Sequence, residues 1–166
     1  MVETSQGAEY AQARTKGPVH YVVGFAFTEN EDGPRVVLIK KNKPNWQSGK
    51  WNGVGGKVEF GETSLRAMIR EFKEETTVET SPADWRQYAT MGSKDWQVDV
   101  FCAFGNKFLD ARTNTPEQVV IADWNHINTA PLIPNLYWLI PMALQSNNDV
   151  SFVQAQVRYF SVSDVE

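Results

Sequence analysis

The 166-residue sequence holds a single cysteine, Cys102, and only two histidines, His20 and His126. One thiol excludes an intramolecular disulfide and any cluster of thiolate ligands. Cys102 lies in the strand-like run VDVFCAF and reads as a small buried hydrophobe. The histidines fall in strand-like runs with no ligand spacing between them, so structural roles are expected of both. Positive charge is also scarce: 16 Lys and Arg against 20 Asp and Glu give a formal net charge of −4. That balance speaks against a nucleic-acid polymer as partner, since sequence-independent binding rests on neutralising many phosphates. No apolar run reaches the ~18–20 residues of a membrane-spanning helix. The opening MVETSQGAEYAQARTKG lacks the apolar middle of a secretory signal. No membrane partner and a cytoplasmic setting are therefore expected.

Internal repeats, low-complexity segments and a second regime of composition are absent as well, so one domain over 18–162 is expected behind a flexible tail at 1–17. An apolar fraction of 42% supplies a core for it. The run Val19 to Phe27 is β-branched and aromatic, and Arg35 to Lys40 repeats that character after the turn chemistry of Asn30 to Pro34. The pair reads as a hairpin. Lys43 to Lys50 reads as a loop, and Gly53, Gly55 and Gly56 mark backbone that a Cβ would obstruct. Strands are expected at Trp85–Met91 and Gln97–Phe104, a short one at Trp124–Ile127, and a last one alternating through Val153, Ala155, Val157 and Tyr159. Leu136, Leu139, Ile140, Ala143 and Leu144 recur as the buried stripe of a helix. The fold class is α/β (α+β): a mixed β-sheet sandwiched between helices.

One helix carries the chemistry. Thr63 caps its start, and Leu65, Ile69 and Phe72 form its apolar stripe. In IREFKEETTV, Ile69 through Val78, the acids Glu71, Glu74 and Glu75 lie within about a third of the circumference, beside that stripe. Like charges at these spacings each cost a few tenths of a kcal/mol. Taken alone, the stretch is either a solvated acidic face with surface ion pairs or a set of hard oxygen ligands for Mg²⁺ or Mn²⁺. Arg70, at i,i+4 from Glu74, is placed to hold one carboxylate. Glu59 and Glu62 stand near the helix start as further ligands or a base.

The residues ahead of the helix extend the pattern. From Gly56 the chain reads GKVEFGETSLRAMIREFKEETTV: glycine, five residues, Glu62, seven residues, then Arg70-Glu71-Phe72-Lys73-Glu74-Glu75-Thr76-Thr77-Val78. This resembles the Nudix box, Gly-x5-Glu-x7-Arg-Glu-U-x-Glu-Glu-x-Gly-U with U apolar, departing only where Thr77 replaces the final glycine. The resemblance implies a loop–helix–loop set on a mixed sheet. It also implies divalent-metal hydrolysis of a nucleoside diphosphate linked to another moiety. Carried over, Glu71, Glu74 and Glu75 hold the metal, the Gly56 carbonyl adds a ligand, Arg70 orients the acids and Glu62 braces the loop.

Beyond the box, WNGVGGKVEFGE, DVFCAF and LYWLIPMAL look like the MutT-type enzymes that act on oxidised purine nucleoside triphosphates. That likeness implies a base contact by Asn52, a stacking role for Trp46 and an extra catalytic glutamate at Glu117. The residues themselves allow a turn role for Asn52, a loop anchor for Trp46 and a plain surface acid for Glu117. Where that group carries an acidic pair before the Tyr-Trp of the second helix, this chain offers only Asn135, which leaves the base open to a pyrimidine or an unmodified purine. The expected substrate is a nucleotide: a (deoxy)nucleoside triphosphate cleaved to monophosphate and pyrophosphate. ADP-ribose, a nucleotide sugar or a dinucleotide is the alternative, and an inactive nucleotide-binding module the third reading. At Thr77 a left-handed backbone would cost on the order of 1 kcal/mol or more for a β-branched residue. The helix is therefore expected to leave by a right-handed exit.

Overall fold

The computed structural model of the chain describes residues 17–30, 33–147 and 154–161. The expected tail at 1–17 lies outside them but for Gly17, as do Glu31 and Asp32 of the expected turn and Val153 of the expected last strand. Eight strands among the described residues form one mixed sheet: β1 (Val19–Asn30), β2 (Gly33–Lys40), β3 (Trp51–Asn52), β4 (Val54–Lys57), β5 (Arg86–Gly92), β6 (Trp96–Phe104), β7 (Gln118–Asp123) and β8 (Ala155–Arg158). Its main path runs β3-β2-β1-β6-β5-β8, with β4 on β1 and β7 on β2. The hairpin is present as an antiparallel β1–β2 ladder with Asn30 opposite Gly33. β1 pairs with β6 in parallel.

The two helices, α1 (Ser64–Thr76) and α2 (Leu136–Gln145), cover opposite faces of the sheet. Alternation along the central strands divides the core between them. Val23, Phe25, Phe27, Val36 and Leu38 pack with Leu136, Leu139 and Ile140 of α2. Val22, Ala26, Val37 and Ile39 pack with Ala67, Met68 and Phe72 of α1. Of the expected stripe only Phe72 is fully buried; Leu65 and Ile69 are half-buried at the edge of a face completed by Ala67, Met68 and Thr76. Among the described residues no helix is long and apolar enough to cross a membrane.

Two expectations fail here. Trp124–Ile127 is no strand: Trp124–Thr129 winds into a 3₁₀ turn, started by Asp123, whose carboxylate accepts the Asn125 N–H at 2.8 Å. The strand lies just before it, at β7, where the β-branched run Val119-Val120-Ile121 with Ala122 pairs antiparallel with β2. The second failure is Thr77, whose φ of 66° is left-handed. Its N–H closes onto the Lys73 carbonyl at 2.9 Å. The turn lets Val78 drop into the α1-side core and hands the free carbonyls of the last turn to a neighbouring segment. Arg112 N–H meets Thr76 O at 2.9 Å, and the Asn114 side chain meets Glu74 O at 2.8 Å. Burying a valine side chain is worth about 1.5–3 kcal/mol, enough to override the local strain.

A buried polar hub fixes the other end of α1. Asp99 on β6, 5% exposed, accepts hydrogen bonds from Ser64 at 2.6 Å and from Gln97 and Thr90 at 3.1 Å, and faces His20 Nε2 at 2.8 Å. Burial pushes its carboxyl up, but those hydrogen bonds prevail and hold it below the usual range. Ser64 donates to the carboxylate itself and meets the same imidazole nitrogen at 3.4 Å, so no serine–histidine–aspartate relay exists. His20 has the structural role expected of it.

The strain at Thr77 is removable. Thr77→Gly is expected to stabilise the chain by about 0.5–1 kcal/mol, as glycine adopts this backbone freely. Urea unfolding of the two proteins measures it, and an unchanged or lower midpoint contradicts the strain.

Candidate active site

α1 lies against β4, and the glycines of β4 make the close approach workable. β4 runs antiparallel to the start of β1, with Gly56 opposite Val22 and Gly55 opposite Val23. A Cβ on Gly56 would overlap the Glu71 carboxylate, and one on Gly55 would overlap the Val22 backbone. The helix acids therefore stand directly over bare backbone.

Arg70 organises them. Its guanidinium forks onto Glu62, with Nε and Nη2 each at 2.9 Å from a carboxylate oxygen. Nη1 reaches Glu71 at 2.7 Å, and Nη2 also reaches the Lys57 carbonyl at 3.0 Å. The expected i,i+4 partner, Glu74, is the loosest at 3.5 Å, with its side chain 56% exposed. The hydrogen bond from Arg70 holds the Glu62 carboxyl below its usual range. Glu62 also accepts the Glu59 N–H at 3.1 Å, closing the loop ahead of the helix.

Glu75 points inward. Its Oε2 is buried and without a hydrogen-bond partner. Burial first, then the nearby charges of Glu71 and Glu117, push its carboxyl from 4.5 up to about 7, against the opposing pull of Lys41 and the Gly55 backbone. Glu117 thus belongs to the cluster and is no surface acid. It sits just before β7, accepting from Lys41 Nζ at 2.6 Å and from the Asn42 N–H at 2.9 Å. Burial would raise its carboxyl, but Lys41 and the Asn42 N–H hold it low.

Among the described residues, no three carboxylates, imidazoles or thiols are grouped so as to hold an ion between them as the side chains stand. Their chemistry nonetheless fits a hard divalent cation. The donors are carboxylates, one buried oxygen lacks a partner, and the bare backbone at Gly56 lets the Glu71 carboxylate lie against it.

A cleft of about 900 Å³ adjoins the cluster at Lys41, the partner of Glu117, and at Gly56, against which Glu71 packs, and its lining includes Gly55 and Gly53. Lys41 and Lys43 flank the near end; Trp46, Asn52, Met91, Trp96, Asn135 and Tyr159 line the remainder. Its two walls are tied by Trp51, whose N–H bonds Pro131 O at 2.8 Å and whose carbonyl accepts the Ile133 N–H at 3.0 Å. Trp46 stands at the rim, 60% exposed. Asn52 accepts the Gly53 N–H through Oδ1 at 2.8 Å, leaving its amide nitrogen only a 3.5 Å contact with Gln47. Asn135 opens α2 without capping it. Its Nδ2 lies 3.8 Å from Met91 Sδ, and its Oδ1 is buried and unpartnered.

Sequence reasoning named Asn52, Trp46 and Asn135 but missed Lys41, Lys43, Met91, Trp96 and Tyr159. The basic run Lys40-Lys41-Asn42-Lys43 beside the glycine-rich approach was a usable signal for the two lysines. Trp96 and Tyr159, with ring centroids 5.3 Å apart, meet only because β8 joins β5. His126 lies away from the site, its side chain 80% exposed.

Comparison with known proteins gives concordant results. The sequence model of the NUDIX domain matches residues 18–136. Putative nudix hydrolase 1 of Caenorhabditis elegans is 30% identical over 110 residues, 66% of this chain and 29% of that protein. The oxidized purine nucleoside triphosphate hydrolase of Danio rerio is 49% identical over 49 residues, 28% of this chain and 31% of that protein. The matched segments span less than a third of either relative. Among solved structures, MutT from Aliivibrio salmonicida and Vibrio cholerae aligns with a TM-score of 0.61 at 20% identity, over 77% of this chain and 98% of that one. The NUDIX domain of Shewanella oneidensis NrtR, complexed with ADP ribose, aligns at 0.62 and 17%, over 91% and 100%. At these identities the structural likeness concerns the fold.

The raised carboxyl of Glu75 has a measurable consequence. The folded chain keeps a proton there that the unfolded chain releases near pH 4.5. That contribution to stability is full below about 4.5 and lost as pH rises through about 7. Glu75→Gln, which cannot ionise, is therefore expected to raise the melting temperature at pH 8 in the presence of a chelator, and to raise it less at pH 5. Equal shifts at the two pH values contradict the assignment.

Proposed function

The chain belongs to the Nudix family, and on that premise we propose that it is a Mg²⁺-dependent hydrolase that converts (deoxy)nucleoside triphosphates to monophosphate and pyrophosphate. The observation that carries the reading is the buried, unpartnered Glu75 Oε2, set among the charges of Glu71, Glu117 and Lys41, the last of which lines the cleft. A buried charge without a hydrogen bond is costly and is retained where a ligand completes it.

Glu71, Glu74, Glu75 and the Gly56 carbonyl would hold the cation, with Mn²⁺ an acceptable substitute, and Glu117 is the candidate further acid. Bound there, the cation neutralises the polyphosphate and acidifies the attacking water. The protein residues do the rest. Arg70, gripping Glu62 and Glu71, keeps the helix acids in register over β4. Lys41 and Lys43 offer positive charge to the phosphates. Glu75, with its carboxyl near 7, is suited to accept a proton at neutral pH. Trp46 supplies a ring face to the base. Asn52 offers an amide donor, and Asn135 an acceptor for a ligand N–H.

A panel of dNTPs, oxidised dNTPs and ADP-ribose, with products identified, tests the reading. Pyrophosphate release from triphosphates is expected; turnover of ADP-ribose alone overturns it in favour of a diphosphate-linked substrate. Glu75→Gln is expected to lose roughly a hundredfold or more of kcat while remaining folded. Undiminished turnover by that variant contradicts the mechanism, and no turnover by the native chain favours a binding module.

A further inference from the structure

The carboxylate cluster holds more negative charge than its cations neutralise. Arg70 is committed to Glu62 and Glu71. Among the described residues, Lys41 is the cation that faces the inner pair, with Nζ 2.6 Å from Glu117 and its charge acting on Glu75. Through its other oxygen Glu117 accepts the Asn42 N–H at 2.9 Å, which holds its carboxylate in place against Lys41. Lys41 follows the end of β2, its side chain 18% exposed, and it lines the same cleft as Gly55 and Gly56.

We propose that Lys41 is a built-in placeholder for the divalent cation, occupying Glu117 until a polyphosphate in the cleft draws its ammonium away. The inference rests on the cation reading above and adds a step to it. An ammonium on a four-carbon stem is a compact point charge that exchanges one anionic partner for another without moving the backbone. In the free protein it competes with the cation for Glu117 and offsets part of the charge on Glu75. With a triphosphate bound, phosphate oxygens replace Glu117 as its partner, and the carboxylate is released to the site. Binding of nucleotide and of cation are thereby coupled, and the coupling is reciprocal.

The test measures Mn²⁺ binding by electron paramagnetic resonance on the full chain, without nucleotide, for the native protein and Lys41→Gln. Lys41→Gln is expected to bind Mn²⁺ roughly tenfold tighter, because one competing positive charge is gone. Lys41→Met serves as a second variant that keeps the apolar stem. For both, the rise in melting temperature with added MnCl₂ should exceed that of the native chain. Adding a triphosphate with a non-hydrolysable α,β-imido bridge should close most of the gap, since phosphate then does for the native protein what the substitution does. Equal or weaker Mn²⁺ binding by the variants, while the native protein binds, overturns the inference and leaves the cation site standing. A gap that persists at saturating triphosphate overturns the displacement. If no protein binds Mn²⁺, the cation reading fails and the inference fails with it.

Discussion

Packing α1 against a strand of bare backbone is the constraint on which the rest depends. Three glutamates in one helix repel each other mildly in water, but here two of them are pressed toward β4, where desolvation makes the repulsion count. The fold tolerates this because Gly55 and Gly56 have no Cβ to collide with Val22 or Glu71 and because Arg70 spreads its donors over Glu62, Glu71 and the Lys57 carbonyl. Glu75 is left with a buried oxygen and no donor. Charge that the chain does not neutralise itself is what gives the site its chemistry.

Both ends of α1 are held by groups distant in sequence. Asp99 anchors the start through Ser64, and Arg112 with Asn114 anchor the end by taking its free carbonyls. The middle is held by Met68 and Phe72 in the core. A helix clamped in this way carries its carboxylates at a fixed height over β4, which a site relying on sub-ångström placement requires. Strain at Thr77 is the local cost of the C-terminal clamp.

Much of this was legible in the chain itself. The central strands stand out as continuous β-branched and aromatic runs, and α1 shows a cap at Thr63 and apolar residues at helical spacing, so local physics announces them. The Gly56–Val78 pattern carried both the acids and their organiser, because every member sits within one loop and one helix. What escaped was non-local. β7 went unassigned although Val119-Val120-Ile121 is a β-branched run, since its place in the sheet is set by pairing with β2. Thr77 was misjudged because a cost visible locally was weighed without Val78 and Asn114. Glu117 stayed ambiguous until β2 and β7 brought it against Lys41, and Asp99 drew no notice because its four partners come from three separate strands and a helix.

The sequence by itself determined the mixed sheet between helices, the family and the identity of the acidic helix, since each follows from spacing within a short stretch of chain. Tertiary structure alone decided which carboxylate is buried without a partner, which lysine faces it, and which side chains enclose the cleft. The reason is physical: desolvation and Coulomb energy depend on distance in space. Residues 41, 75 and 117 become neighbours only once the sheet has formed.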